Sequence, residues 1–412
     1  MLTKHKLREL IDVTRGMSLP GEYYSESGEY IRLTMGNFNY NGGGFKENTS
    51  KTDIYYTGPI REEYILNKGD IITPLTEQAL GLLGTTAMIP ESGKYIQSQD
   101  VALITCKKDK IDHLYCYYLI SSDLVKKQLS AAAQQTKIRH TSPDKIMDCT
   151  VWIPEMGIQQ RIGKTLYEID QKISLNTRMN AELEAMAKQL YDYWFVQFDF
   201  PDENGNPYKS SGGEMVYNST LKREIPEGWD NVFLSDIANI TMGQSPDGSS
   251  YNEMGKGTVF YQGSTDFGIR FPSVRMYTTA PSRFAKKGDI LMSVRAPVGD
   301  TNIANKDCCI GRGLSAINSK LGSISHLYYI IRDLKAKFDM LNAAGTTFGA
   351  ITKDELYNMP VVKPSKDILS KYEDLCSPIF DMQMTIGYEI DHLTHLRDSL
   401  LPMLMNGQVT VE

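Results

Sequence analysis

The sequence predicts an α+β protein written twice: two mixed β-rich domains separated by two long antiparallel coiled-coil helices, the halves related by a pseudo-twofold internal repeat. Three observations predict it. Four blocks of the first half recur in the same order in the second, and each half ends in a sustained heptad pattern. Before each heptad run, short stretches alternate apolar and polar residues between Gly, Asn, Ser and Tyr turns, which is the pattern of strands.

KLRELIDVTRGMS (Lys6 to Ser18) aligns with FLSDIANITMGQS (Phe233 to Ser245), pairing Gly16 with Gly243 and Ser18 with Ser245 at an offset of 227. Lys68-Gly69-Asp70-Ile71 recurs as Lys287-Gly288-Asp289-Ile290 at 219, and HLYCYYLISSDL from His113 matches HLYYIIRDL from His326 at 213. SPDKIMDCTVWIP, ending at Pro154, matches TKDELYNMPVVKP, ending at Pro364, at 210. An offset that shrinks in steps between blocks means a shared frame with loops of different length. Different loops on one frame point to two different specificities.

The elements follow in chain order. Residues 1–154 form the first β-rich domain, with YIRLTMGNFN, GDIITPL and VALITC as strands. Residues 155–198 form a helix whose seam, at alternating spacings of three and four, is Leu166, Ile169, Ile173, Asn176, Asn180, Leu183, Ala187, Leu190 and Trp194. Residues 199–228 are a linker rich in Gly, Asn, Ser and Pro. The second β-rich domain, 229–364, has TVFYQG, GDILMSV and LSAINS as strands, and a second helix occupies 365–406. Its seam is Leu375, Ile379, Met382, Ile386, Glu389, Leu393, Leu396, Leu400 and Met403. Asn176, Asn180 and Glu389 interrupt the seams midway, and buried polar seam residues fix register. An antiparallel intramolecular pair would bring them together; the alternative is that each helix packs on its own domain.

Composition sets limits. In 412 residues the hydrophobic share is 41% and the charged share 23%, a globular balance rather than a disordered one. The net charge of -6 argues against a uniformly basic nucleic-acid binder. No apolar run reaches the length of a membrane span, and the charged start MLTKHKLREL is unlike a secretory leader, so a cytoplasmic location is expected. Cys106, Cys116, Cys149, Cys308, Cys309 and Cys376 form no C-x-x-C pair and read as reduced, mostly buried thiols.

Motifs for chemistry are missing from the sequence: no G-x-x-x-x-G-K-[ST], no G-x-G-x-x-G at a strand-to-helix turn, no [ND]-P-P-[YF], no H-E-x-x-H and no G-x-S-x-G. His392 and His395 could clip a metal but have no third ligand, and read as solvated helix residues. Catalysis and metal binding by this chain are therefore not expected.

Local charge answers the acidity. From Lys256 to Arg312 nine basic residues face four acidic ones, and from Lys126 to Lys145 five face one. Such islands neutralise phosphates, while bases are read by planar donors and amides near loops. The candidates in the first half are Arg15, Ser18, Gln78, Lys137, Arg139 and His140; in the second they are Gln244, Ser245, Arg295, Arg312 and Thr347. A rod of about 30 helical residues is about 45 Å long, and a turn of B-DNA is about 34 to 36 Å. Two readers so spaced would meet one face of a duplex.

These features together resemble the specificity (S) subunit of type I restriction-modification systems over essentially the whole chain. The likeness is carried by the domain-plus-helix duplication, the K-G-D-I strands, G-T-T-F-G-A-I-T followed by L-Y-N-M-P-V-V-K-P, and DFPDENGNPYKSSGGEMVYNSTLKREIPEGWDNVFLSDI from Asp199 to Ile237. IPEGW, Ile225 to Trp229, opens the second domain; the first begins at Lys6-Leu7 without it. The resemblance implies two target recognition domains, each reading half of a bipartite, asymmetric double-stranded DNA site, with the helices as spacer and docking surface. It implies two methyltransferase (M) subunits, similar to N6-adenine methyltransferases, and restriction (R) subunits as partners. S-adenosylmethionine, ATP and Mg would sit on those partners and no cofactor on this chain. The competing reading is a coiled-coil scaffold whose two β-rich domains bind proteins. A self-contained nuclease is weaker, because Pro143-Asp144 and Pro201-Asp202 lack a downstream acid and lysine.

Overall fold

The computed structural model describes residues 2–40, 43–77, 81–132, 139–268, 270–343 and 349–411. The chain divides into two compact units, Met1–Leu175 with Ile390–Glu412, and Asn176–Glu389. Each long helix, Met156–Tyr191 and Lys366–Met405, therefore contributes to both units. Among the described residues no helix is long and apolar enough to cross a membrane.

The first unit is built on an antiparallel sheet in the order Ile11–Arg15, Val101–Cys106, Ile71–Pro74, Ala87–Met88. Ile11 and Val13 are buried while Asp12 and Thr14 are exposed, the two-residue period of a half-covered strand. Helix His113–Ile120, capped by Asp112 accepting from the Tyr115 amide at 2.9 Å, lies in the same core as Leu7, Ile71, Ile104 and Leu166. A second sheet runs Tyr24–Ser25, Tyr55–Tyr56, Tyr30–Arg32, Tyr95–Ile96, its last pair parallel. The end of the second long helix supplies Leu404 and Met405 to the first core.

The second unit repeats the sheet strand for strand: Ala238–Met242, Leu314–Ser319, Ile290–Ser293, Thr301–Ile303. Its outer sheet has five strands, Tyr251–Asn252, Met276–Thr278, Thr258–Tyr261, Cys308–Ile310 and Phe284–Ala285. The segment after the first long helix is ordered by aromatic packing: Phe200 stacks between Tyr208 and Trp229, with ring centres 4.7 and 5.0 Å away. Met215–Asn218 and Arg223–Pro226 pair as a hairpin before Trp229.

Within each unit the long helices run antiparallel. In the first, Arg161 donates to the Val411 carbonyl at 2.9 Å and Arg397 pairs with Asp170 at 3.0 Å. In the second, Asn176 Nδ2 donates to Glu389 at 2.7 Å and Gln383 Nε2 to Glu184 at 3.1 Å. On the first helix Leu166, Asn176, Asn180 and Ala187 are buried, as is Trp194 in the π-helical turn Asp192–Val196 that follows it, and Ile169, Ile173, Leu183 and Leu190 are half-buried.

The second helix corrects the sequence reading. Ile386 is buried and Ile379, Leu393 and Leu400 are half-buried, but Leu375 is 54%, Met382 51% and Leu396 37% exposed, and Glu389 is exposed as well. The buried ridge passes one residue away, through Tyr372, Cys376, Gln383, Arg397 and Leu404. The cause is polar pairing. Gln383 and Arg397 are buried because carboxylates of the first helix receive them, and an apolar heptad count treats both as surface.

Candidate nucleic-acid interface

In an antiparallel ladder, the exits of two outer strands and the start of the strand between them share one end of the sheet. In the first unit these are the exits of Ile11–Arg15 and Ile71–Pro74 and the start of Val101–Cys106. A four-residue turn, Ser98 to Val101, leads into the central strand, closed by the Val101 amide donating to the Ser98 carbonyl at 3.0 Å. Its neighbours grip it: Leu75 N donates to Asp100 O (2.8 Å), Gly16 N to Val101 O (3.3 Å) and Met17 N to Gln97 O (3.3 Å).

The second unit makes the same four bonds around the turn Gly311 to Leu314. Leu314 N donates to Gly311 O (3.0 Å), Val294 N to Gly313 O (2.9 Å), Gly243 N to Leu314 O (2.9 Å) and Gln244 N to Ile310 O (3.1 Å). Each donor and acceptor matches its counterpart at the offset of its own repeat block. Glycine is required where the strand crosses the turn: a Cβ on Gly16 would lie 2.3 Å from Ser98 O, and one on Gly243 2.1 Å from Gly311 O. A third segment joins each end, through Thr141 N to Leu75 O and Ile351 N to Val294 O, both 2.9 Å.

The residues singled out from the sequence fall around these turns. In the first unit Arg15 ends its strand exposed, with Nε donating to the Gln99 carbonyl at 2.7 Å, and Ser18 follows it, also exposed. Arg139 and His140 form a short strand against Glu77 and Thr76, with His140 exposed. Gln78 and Lys137 lie outside the described residues, as does Thr347 of the second half.

In the second unit Gln244 is exposed and its carbonyl accepts from Ser282 Oγ at 2.8 Å. Ser245 Oγ accepts from the Arg312 amide at 3.2 Å, so its hydroxyl clamps the turn. Arg295 bridges to Ala350, and the Arg295 and Arg312 side chains are exposed. The fold thus gathers Gln244, Ser245, Arg295 and Arg312 at one sheet end, and Arg15, Ser18 and His140 at the equivalent end of the other unit.

The basic island resolves into different roles. Arg270 is buried, ion-paired with Glu184 at 3.4 Å and lying 4.9 Å from the Phe380 ring centre; it holds the fold. Arg275 pairs with Asp266, and Lys287 lies over Tyr388. Arg283, Arg295 and Arg312 are exposed and form no ion pair with a described residue. Arg283 belongs to the same end as Arg312, because its carbonyl accepts from Ile310 N at 2.9 Å. In the sequence Arg283 is marked only by its charge and Gln99 by no motif, though the 213-residue offset relates Gln99 to Arg312. Free guanidinium and amide groups on rigid backbone can contact phosphates and base edges.

Comparison with known proteins agrees in one direction. The family model described as type I restriction modification DNA specificity domain matches residues 2–185 and 226–374. The chain is 26% identical over 323 residues to the type I restriction enzyme MjaIX specificity subunit of Methanocaldococcus jannaschii, covering 74% of this chain and 71% of that one. It is 24% identical over 330 residues to the type I restriction enzyme HindI specificity subunit of Haemophilus influenzae, covering 65% and 70%. The crystal structure of a type I restriction-modification system S subunit from M. genitalium aligns with a TM-score of 0.62 at 16% identity, covering 98% of this chain and 96% of that one, which shows a shared fold.

Proposed function

The chain belongs to the type I restriction modification DNA specificity domain family, and on that premise we propose that it is the noncatalytic subunit that selects the DNA sequence for a type I restriction-modification complex. The observation that carries this reading is the duplicated sheet end: the same four backbone bonds in both units, surrounded by different exposed polar and basic side chains. One frame with two sets of contacts suits a bipartite target whose halves differ. Methyltransferase and restriction subunits would supply S-adenosylmethionine, ATP and Mg, and with them the chemistry. Adenine methylation requires the base to leave the stack, so this chain would set where the methyltransferase pockets meet the duplex.

Phosphate neutralisation at exposed arginines such as Arg283 makes binding salt-dependent, by roughly 0.9 in the log–log slope per contact. The test is a mobility shift of the full chain assembled with its methyltransferase subunits, titrated with salt and with unlabelled competitor. Retention that falls with salt and is competed best by a split sequence is expected. A protein-binding scaffold would show neither property, and that result would overturn the reading.

A further inference from the structure

Gln99 and Arg312 occupy the same position in the two units. Each is the second residue of the four-residue turn that starts the central strand, and each has an exposed side chain. The turn itself is immobilised by the strand exits on both sides. Around Arg312, Gly311 N donates to Tyr261 O at 2.8 Å and the Arg312 amide to Ser245 Oγ at 3.2 Å. A Cβ on Gly313 would lie 2.7 Å from the Gln262 carbonyl, so backbone packs against backbone there. Around Gln99, the carbonyl is held by Arg15 Nε at 2.7 Å. Because the backbone is already fixed, a contact has only the side chain's rotamers left to order, and the planar head group can then meet one base edge in a fixed register, which is what discrimination between bases needs.

We propose that Gln99 and Arg312 are equivalent base-reading residues, one for each half-site, Gln99 directed to adenine and Arg312 to guanine. The pairing rests on hydrogen-bond geometry: a carboxamide matches adenine N6 and N7, and a guanidinium matches guanine N7 and O6. Arg15 and Ser245 are then positioning residues that act through the backbone of Gln99 and Arg312. Arg283, held at its carbonyl by the Ile310 amide, serves phosphate. The inference rests on the DNA-specificity reading and assigns the selective contact within it.

The experiment compares the full chain with Gln99→Arg, Gln99→Ala, Arg312→Gln and Arg283→Ala, each assembled with the methyltransferase subunits and presented with a randomised duplex library. Gln99→Arg is expected to exchange adenine for guanine at one position of one half-site, and Arg312→Gln the reverse in the other. Gln99→Ala should relax the same position, with discrimination there falling roughly 5- to 150-fold. Arg283→Ala should weaken all sequences alike and lower the salt slope by about 0.9. If the wild-type complex selects a split sequence and the Gln99 and Arg312 variants select the same one, this inference fails and the function stands. If the wild-type complex selects nothing, the function itself fails.

Discussion

His113 and His326 hold the same place in the repeated H-L-Y block and meet opposite surroundings. His113 hydrogen-bonds the Gly69 carbonyl at 2.9 Å, and its pKa is raised, chiefly by the Cys106 thiol. His326 is 3% exposed, its ring centre 4.5 Å from that of Phe195, and loss of hydration lowers its pKa to about 3. The unfolded chain binds a proton near pH 6.5 that the folded chain refuses, so stability falls as pH drops below that value. Between pH 7.5 and 5.5 this residue should contribute a loss of about 1.4 kcal/mol. Urea unfolding of the full chain at both pH values should show the wild type losing about 1.4 kcal/mol more than His326→Phe between them, the other titrating groups being common to both proteins.

Glu184 is the other residue with a definite consequence. It accepts from Arg270, Arg332 and Gln383, and Arg270 is buried. Glu184→Ala would strand a buried guanidinium, a loss on the order of 3–5 kcal/mol measurable by the same unfolding experiment. None of this was legible in the sequence. Arg270 stood among nine basic residues counted together as charge, because local composition does not record which side chain has a carboxylate waiting on another helix.

At the scale of elements, the duplicated frame was legible because backbone constraint writes itself into residue type. Gly16 and Gly243 align in the sequence because each lets a strand exit touch a turn carbonyl. The heptads likewise located the paired helices, since Asn176 and Glu389 meet as antiparallel pairing requires. The phase of the second helix was not legible: Met382 and Leu396 continue an apolar count, whereas burial follows Gln383 and Arg397. The recognition end was read in part. Gln244 with Ser245, Arg295 and Arg312 lie in three separate loops that the sheet brings together, and Arg283 and Gln99 carry no local mark. Gly243→Ala, which would place a methyl 2.1 Å from Gly311 O, should disrupt the second turn and spare the first. In a library selection with the assembled complex, the second half-site should lose definition while the first keeps its sequence.

For the whole molecule, the net charge of -6 takes on a specific meaning. An acidic protein with exposed arginines at one sheet end discourages indiscriminate binding and leaves local grip. The proposed function requires that two equivalent domains read two half-sites independently. It is tested most directly by sequencing the methylated sites in cells that express this chain with its methyltransferase subunits, beside cells in which residues 1 to about 150 are replaced by the equivalent domain of a relative. The expected result is a split motif with a fixed gap whose first half changes on replacement while the second half and the gap persist. Methylation without a split motif, or a replacement that alters both halves, would contradict it.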